Sequence, residues 1–269
     1  MKKIILPFLL FSILFSCKDD KVIKTHGAQT PVKNQVVKDS AVSDDVFVKE
    51  DVKNDFEILL PDGYRDNQGE NPANSLNKKW IDLFEENGNY YLGKTDFTIE
   101  KGYDECVGDS TRSIVSKNKS ILFMNYPKLK LGKIKSLKLD KNKIWPGEKV
   151  TLKFENADYV FRAEGKVLST EKRILDDNKE EIYKKVENYK LFLKTNNGPE
   201  KLLLQVETFN DTFVELLFAG DIDNDGKLDF IFGANRDYEE TRVMLFLSSK
   251  AENEEPVKKV SELAIQFDC

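Results

Sequence analysis

Residues 216–234 read LLFAGDIDNDGKLDFIFGA. Two apolar runs of strand-forming residues flank a turn that carries four aspartates and one glycine. So many carboxylates in one turn repel one another unless a positive charge compensates them. The stretch therefore predicts two neighbouring β-strands whose connecting loop binds a cation.

Further short apolar runs follow one another through the chain after residue 54. They are rich in Val, Ile, Leu, Phe and Tyr, and turn residues such as Trp145-Pro146-Gly147 separate them. The pattern predicts a mostly β fold of antiparallel sheets, either sandwich-like or arranged as two β subdomains. The predicted strands after residue 89 are 90–103, 120–126, 129–139, 148–155, 158–168, 188–195, 201–209, 212–219, 229–234 and 242–249.

One short helix is predicted at residues 74–88. Leu76, Trp80 and Leu83 are spaced by four and three residues, which places them on one helical face. Phe84 extends this face, and Gly88 is a typical helix stop.

Composition divides the chain into five predicted segments. The second is rich in Lys, Asp, Val and Ser with a single aromatic residue, so it cannot bury enough apolar surface to fold. The fourth is dominated by charged residues. The predicted segments are a signal peptide (1–16), a flexible tether (17–54), a β-rich N-terminal subdomain with one helix (55–170), a charged connector (171–188) and a β-rich C-terminal subdomain (189–269).

The acidic turn has the donor spacing of a calcium loop. Calcium takes about six to eight oxygen ligands, and alternate side chains of a curled loop point towards the ion. The glycine allows the sharp turn that such a loop needs. An ordinary acidic hairpin turn is the alternative. The predicted ligands are the carboxylates of Asp221, Asp223, Asp225 and Asp229 and the backbone carbonyl of Lys227.

Residues 220–234 resemble the calcium loops of FG-GAP and VCBS repeats, which lie between β-strands. The resemblance implies that the four aspartates are ligands of Ca²⁺ and that the ion stabilises the hairpin. An EF-hand is excluded because its twelfth position, here Phe232, would be a bidentate glutamate. The motif occurs once, whereas a propeller needs several blades, so no propeller is predicted.

The first 17 residues have the order of a bacterial export signal. Two lysines precede an apolar stretch, residues 4–15, which is shorter than the about 20 residues of a membrane-spanning helix. Leu14 to Cys17 resembles the lipobox of bacterial lipoproteins. The resemblance implies lipid on Cys17 and anchoring at the outer membrane of a Gram-negative bacterium, on its periplasmic or its outer surface. An ordinary signal peptide is the alternative.

With Cys17 assigned to lipidation, Cys106 and Cys269 remain as one pair. In an oxidising compartment we expect them to form a disulfide; two independent thiols are the alternative.

Several classes of chemistry lack the residues they need. The single histidine, His26, lies in the predicted tether, which leaves the folded region without a histidine base or zinc ligand. A net charge of −5 does not favour a nucleic-acid partner. We therefore expect a non-catalytic binding, adhesion or assembly module of the envelope, with a glycan or an envelope protein as partner. A carboxylate-based hydrolase such as a glycosidase stays open as the alternative.

Residues 128–143 contain seven lysines interleaved with Leu and Ile. One interpretation is a half-buried strand with a solvated lysine face. The other is a contact surface for an anionic partner such as an acidic glycan.

Overall fold

A computed structural model of the chain describes residues 53–66, 69–174 and 180–267. All described residues belong to one compact unit, Glu50–Cys269. Three predicted features lie outside the described residues: the signal peptide, the lipidation site Cys17 and nearly all of the tether. Within these ranges, no helix has the length and the apolar character that crossing a membrane requires.

The described residues form sixteen β-strands and two 3₁₀ turns, Pro72–Ser75 and Ser248–Lys250. The strands of each sheet pair antiparallel. This confirms the predicted fold class, mostly β with antiparallel sheets and not a propeller. In chain order the strands are β1 (Ile58–Leu59), β2 (Gly63–Arg65), β3 (Ile81–Glu86), β4 (Asn89–Lys94), β5 (Phe97–Asp104), β6 (Asp109–Ser116), β7 (Lys119–Met124), β8 (Gly132–Lys133), β9 (Lys149–Phe154), β10 (Ala157–Ile174), β11 (Glu180–Thr195), β12 (Lys201–Thr208), β13 (Glu215–Gly220), β14 (Asp229–Gly233), β15 (Glu240–Leu247) and β16 (Lys258–Gln266).

The strands are arranged in four sheets. The N-terminal sheet has the order β1-β7-β3-β4-β8, and the small sheet has the order β2-β6-β5. The hairpin sheet has the order β12-β11-β10-β9, and the central sheet has the order β13-β14-β15-β16. Neighbours in the hairpin and central sheets are consecutive in sequence, so both sheets are simple meanders.

The central sheet is buried on both faces. Its residues Phe230 and Phe232 pack in one hydrophobic cluster with residues of the hairpin sheet such as Phe161. Ile231 and Leu245 pack in a second cluster with residues of the N-terminal sheet. The three sheets therefore form three layers, with one core on each side of the central sheet. Neither face of β14 meets water, which explains its continuous apolar sequence.

A β-bulge in β13 decides which core its side chains enter. The register between β13 and β14 shifts between Leu216 and Phe218. Leu216 packs in the cluster with the hairpin sheet, and Phe218 packs in the cluster with the N-terminal sheet. In a regular strand these two residues would share a face, so the bulge allows β13 to fill both cores.

The predicted helix at residues 74–88 is wrong. A 3₁₀ turn occupies Pro72–Ser75, residues 76–80 form a loop, and residues 81–88 form β3 and a tight turn into β4. Asn87 and Gly88 have φ values of 52° and 75°. Two successive positive φ angles are typical of the type I′ turn that joins the strands of a two-residue hairpin. Leu76, Trp80 and Leu83 are all buried, but they enter the core from a loop and a strand instead of from one helical face.

The charged segment 171–188 forms much of a long hairpin. β10 and β11 pair from Tyr159 and Thr195 outward to Ile174 and Glu180. The described residues of the predicted connector lie in these two strands, and residues 175–179 are outside the described residues. Of the predicted strand at 129–139, only β8 forms. The residues after β8 reach the central sheet, where the N–H of Leu137 donates a hydrogen bond to the carbonyl of Ala219 in β13.

Candidate metal centre

The acidic loop, residues 221–228, joins β13 to β14. Ile222 and Leu228 are fully buried near its two ends, the first in the cluster with the N-terminal sheet and the second in the cluster with the hairpin sheet. Asn224 and Gly226 have φ values of 62° and 85°, which turn the chain back on itself. The loop is therefore fastened to both cores while its tip is exposed.

Three of the predicted ligands lie together at this loop. One carboxylate oxygen each from Asp221, Asp223 and Asp225 lies within 4.8 Å of the others. Oxygens that bind the same calcium ion at about 2.3–2.6 Å can be at most about 5 Å apart. The three carboxylates therefore have a spacing that a single hard cation can bridge.

Two buried oxygens in this cluster have no hydrogen-bond partner among the described residues. They are Oδ1 of Asp221 and Oδ1 of Asp223. Asp221 is only 7% exposed, and its other oxygen accepts a hydrogen bond from the N–H of Gly226 at 3.1 Å. A buried carboxylate oxygen without a donor is costly, and an ion bound between the carboxylates would satisfy both oxygens.

Asp229, the fourth predicted carboxylate, has a different environment. It is fully buried, and its Oδ2 accepts a hydrogen bond from the N–H of Ile222 at 2.7 Å. Its Oδ1 accepts a hydrogen bond from the N–H of Ser248 at 2.7 Å. Asp229 therefore connects the start of the acidic loop to the end of β15, and it lies outside the group of three.

Two serines that the sequence analysis did not single out complete the surroundings of the acidic loop. The hydroxyl of Ser248 lies 2.9 Å from Oδ2 of Asp225 and 3.0 Å from Oδ1 of Asp229. The hydroxyl of Ser249 donates a hydrogen bond to Asp223. Ser248 and Ser249 follow β15, 23 positions after Asp225 and 26 positions after Asp223, and the pairing of β14 with β15 brings them here.

Burial is the largest cause of raised pKa values for Asp221, Asp223 and Asp229. Neighbouring aspartates raise the pKa values further, since Asp225 acts on the first two and Asp223 acts on the third. The ionised carboxylates are therefore unfavourable in this loop without a positive charge. A divalent cation would supply that charge at the point where the carboxylates converge.

Lys227 is exposed, and its N–H donates a hydrogen bond to Oδ1 of Asp225 at 2.8 Å. The predicted ligand role of its carbonyl stays a prediction. The loop is also held from the hairpin sheet, because the N–H of Leu228 donates a hydrogen bond to the hydroxyl of the buried Tyr159 at 3.0 Å.

The predicted disulfide concerns a distant part of the molecule. Cys106 is disulfide-bonded, and Cys269 lies outside the described residues, so their pairing stays a prediction.

Comparisons with protein-family models, with curated proteins and with solved structures find no match for this chain. The resemblance of residues 220–234 to the calcium loops of FG-GAP and VCBS repeats stays a prediction from sequence.

Proposed function

We propose that this protein is a lipid-anchored, non-catalytic binding module of the cell envelope whose acidic loop binds a structural calcium ion. The observation that supports the calcium site most directly is the buried Oδ1 of Asp221, which no described residue hydrogen-bonds, beside two further carboxylates. The donors are all hard oxygens, which calcium and magnesium prefer. The anchoring part of the proposal rests on the sequence of residues 1–17.

A structural role fits the position of the acidic loop better than a sensing role. Asp229 and Ser248 already link the loop to the end of β15, and Ile222 and Leu228 fix it to both cores. An ion would relieve the repulsion among carboxylates that this packing holds together. We therefore expect the ion to stabilise the folded state without a large change of conformation.

The environment of the carboxyl groups favours a binding role over a hydrolase. A glycosidase of this kind uses an acid with a raised pKa next to a second carboxylate at a surface that substrate can reach. Among the described carboxyl groups whose pKa is raised, Asp82 and Asp229 are fully buried, and Asp221 and Asp223 belong to the acidic loop.

The calcium site is tested by thermal unfolding of the full chain with Cys17→Ser, which prevents lipidation. Extracellular calcium sites bind with dissociation constants of about 10⁻⁴ to 10⁻³ M. About 10 mM calcium should then stabilise the protein by about 1.4–2.7 kcal/mol relative to EDTA. Asp225→Asn should abolish this gain, because it removes the charge of a ligand while the amide oxygen can still accept the N–H of Lys227.

Asp140→Asn is the matched control, since it removes one exposed carboxylate outside the acidic loop. It should leave the calcium effect intact. If the protein with the unsubstituted acidic loop has the same melting temperature in calcium and in EDTA, the acidic turn is a solvated hairpin and the proposal is wrong.

A further inference from the structure

Residues 132–142, which we call the strap, connect the edges of two sheets. On one side the N–H of Ile134 donates a hydrogen bond to the carbonyl of Tyr90 in β4 at 2.9 Å. On the other side the N–H of Leu137 donates to the carbonyl of Ala219 in β13 at 2.9 Å. These are backbone bonds, so the position of the strap depends on both sheets.

The strap forms one wall of a cleft with a volume of about 1110 Å³. Tyr90 and the preceding turn line the cleft on one side, and the turn between β9 and β10 lines it on another. The volume is slightly above the range of about 300–1,000 Å³ that is typical of small-ligand sites. A chain of several sugar units or a compound of similar size would fit such a cleft.

Four lysines and three carboxylates line the cleft, so its local charge is slightly positive. Lys135 pairs with Glu155 at 2.7 Å. Lys133 and Lys138 of the strap have no carboxylate partner in the described part of the chain, and the exposed Asp140 of the strap offsets one of these two charges. Lysine ammonium groups on flexible stems are suited to binding anionic groups. This excess occurs on a chain whose net charge is −5, so it is not a general property of the surface.

The remaining lining is mixed in polarity. It includes the amide of Asn89, the hydroxyl of Ser136 and the half-buried apolar side chains of Leu137 and Leu139. Hydroxyl and amide groups beside small apolar patches suit a polyhydroxylated ligand better than a lipid chain. A single-stranded nucleic acid would need aromatic platforms for several bases, and Tyr90 instead packs edge-on against Phe218.

The cleft and the acidic loop are adjacent along the backbone. The N–H of Asp221 donates a hydrogen bond to the carbonyl of Lys135 at 2.9 Å, and Ser136 forms a β-bridge with Gly220. Without a cation, the cluster of three carboxylates next to the strap would repel an anionic ligand. A bound divalent cation would reduce this repulsion. It would also fix the position of Asp221, whose N–H holds the carbonyl of Lys135.

We propose that the cleft beside the strap binds an anionic oligosaccharide and that a divalent cation in the acidic loop strengthens this binding. The second half rests on the proposed calcium site. Because linkage is reciprocal, the oligosaccharide raises the affinity of the acidic loop for calcium by the same factor.

The test is calorimetric titration of the full chain with Cys17→Ser, using a heparin-derived hexasaccharide as the probe in the presence of calcium. Lys133→Ala with Lys138→Ala should weaken binding about tenfold or more. The matched control is Lys128→Ala with Lys130→Ala, which removes the same charge from exposed lysines that do not line the cleft. The control should retain the affinity of the parent protein within about twofold.

The coupling is measured with Asp225→Asn in the same calcium buffer, because chelation would also remove calcium from the probe. This substitution should weaken binding of the hexasaccharide about fivefold or more. Undiminished binding by Asp225→Asn, in a protein whose melting temperature calcium raises, would overturn the coupling and leave the calcium site standing. If calcium does not stabilise the protein, the coupling fails together with the calcium site.

The assignment of the cleft has its own decisive outcomes. Equal loss of binding in the two double variants would overturn it in favour of diffuse surface attraction. Absence of binding to both the heparin-derived hexasaccharide and an oligogalacturonate would overturn the ligand class. Binding to vesicles with anionic headgroups but to neither oligosaccharide would assign the lysines to a membrane surface instead.

Discussion

Asp82 is a fully buried carboxyl group in β3 whose burial raises its pKa. Its Oδ2 accepts hydrogen bonds from the amide of Asn118 at 2.8 Å and from the hydroxyl of Ser120 at 2.9 Å. Its Oδ1 has no hydrogen-bond partner within residues 53–66, 69–174 and 180–267. The folded state therefore favours the protonated form of Asp82 more than the unfolded state does.

The sign of the pH effect follows from this preference. A carboxyl group with a raised pKa in the folded state loses stabilising free energy as the pH rises from its unfolded pKa through its folded pKa, by about 1.4 kcal/mol for each unit of the shift. Asp82→Asn removes this titration. We expect the free energy of unfolding of Asp82→Asn minus that of the parent protein to be larger at pH 7 than at pH 3.5, so that the variant gains stability relative to the parent as the pH rises. Urea unfolding at both pH values measures it, with the exposed Asp140→Asn as control, and a difference that does not change with pH would contradict it.

Tyr159 supports the acidic loop through one hydrogen bond. Its hydroxyl accepts the N–H of Leu228 at 3.0 Å, and both residues are buried. Tyr159→Phe leaves that N–H without an acceptor, so we expect the free energy of unfolding in EDTA to fall by about 1–3 kcal/mol. The exposed Tyr103→Phe should change it by no more than about 0.5 kcal/mol. Equal effects of the two substitutions in chemical unfolding would show that this bond contributes nothing specific.

At the scale of elements, Gly220 at the end of β13 sets how closely the strap approaches the central sheet. A Cβ atom at this position would lie 2.8 Å from the carbonyl oxygen of Lys135 and 2.6 Å from the ring of Phe218. Gly220→Ala must displace the strap, and we expect a loss of about 1–3 kcal/mol in the free energy of unfolding.

Gly63→Ala is the control for this substitution, because its Cβ would meet the hydroxyl of Ser113 at an ordinary 3.4 Å. It should cost far less in the same urea titration. If Gly220→Ala is as stable as the control, the strap is free to move away from β13 and cannot couple the acidic loop to the cleft.

The sequence pattern was sufficient to predict strands whose apolar residues are buried by strands adjacent to them in the chain. The prediction failed at residues 74–88. Leu76, Trp80 and Leu83 have helical spacing, but they lie in two separate elements, a loop and a strand, and are buried from there. Pairing of β3 with β4 and β7 overrode that spacing, and the Asn87-Gly88 pair was the local signal of a hairpin. Propensity is a weak guide where tertiary pairing decides.

The acidic loop shows the same division at a smaller scale. Asp221, Asp223 and Asp225 converge as their spacing predicts, because the loop itself brings them together. The separate position of Asp229 and the contributions of Ser248 and Ser249 depend on the pairing of β14 with β15. Spacing along the chain cannot reveal partners that a neighbouring strand supplies.

At the scale of the whole molecule, the C-terminal residues are held near the β5–β6 hairpin. The guanidinium of Arg65 donates hydrogen bonds to Oδ2 of Asp104 at 2.8 Å and to the carbonyl of Phe267 at 2.9 Å. Asp104 also accepts the N–H of the disulfide-bonded Cys106 at 3.0 Å. Arg65 therefore brings the neighbourhood of Cys106 close to the residues that precede Cys269.

We expect peptide mapping without reduction to find Cys106 joined to Cys269. Cys106→Ser should lower the free energy of unfolding by about 2–5 kcal/mol, because the bond closes a long loop. Chemical unfolding with and without reductant measures the loss, and the variant should no longer respond to reductant. A peptide that joins Cys106 to Cys17, or a free thiol at Cys269, would contradict the pairing.

The layer order has a consequence for how the chain reaches its folded state. The central sheet, with an apolar surface towards each outer layer, consists of residues 215–266. Chains are synthesised from the N-terminus, so the N-terminal sheet and the hairpin sheet emerge from the ribosome before the sheet that covers them. A nascent chain that stops before Glu215 would expose two uncovered apolar sheet faces and would be prone to aggregate. Productive folding must therefore wait for the last strands to emerge, and chaperones that delay collapse until then would raise the yield.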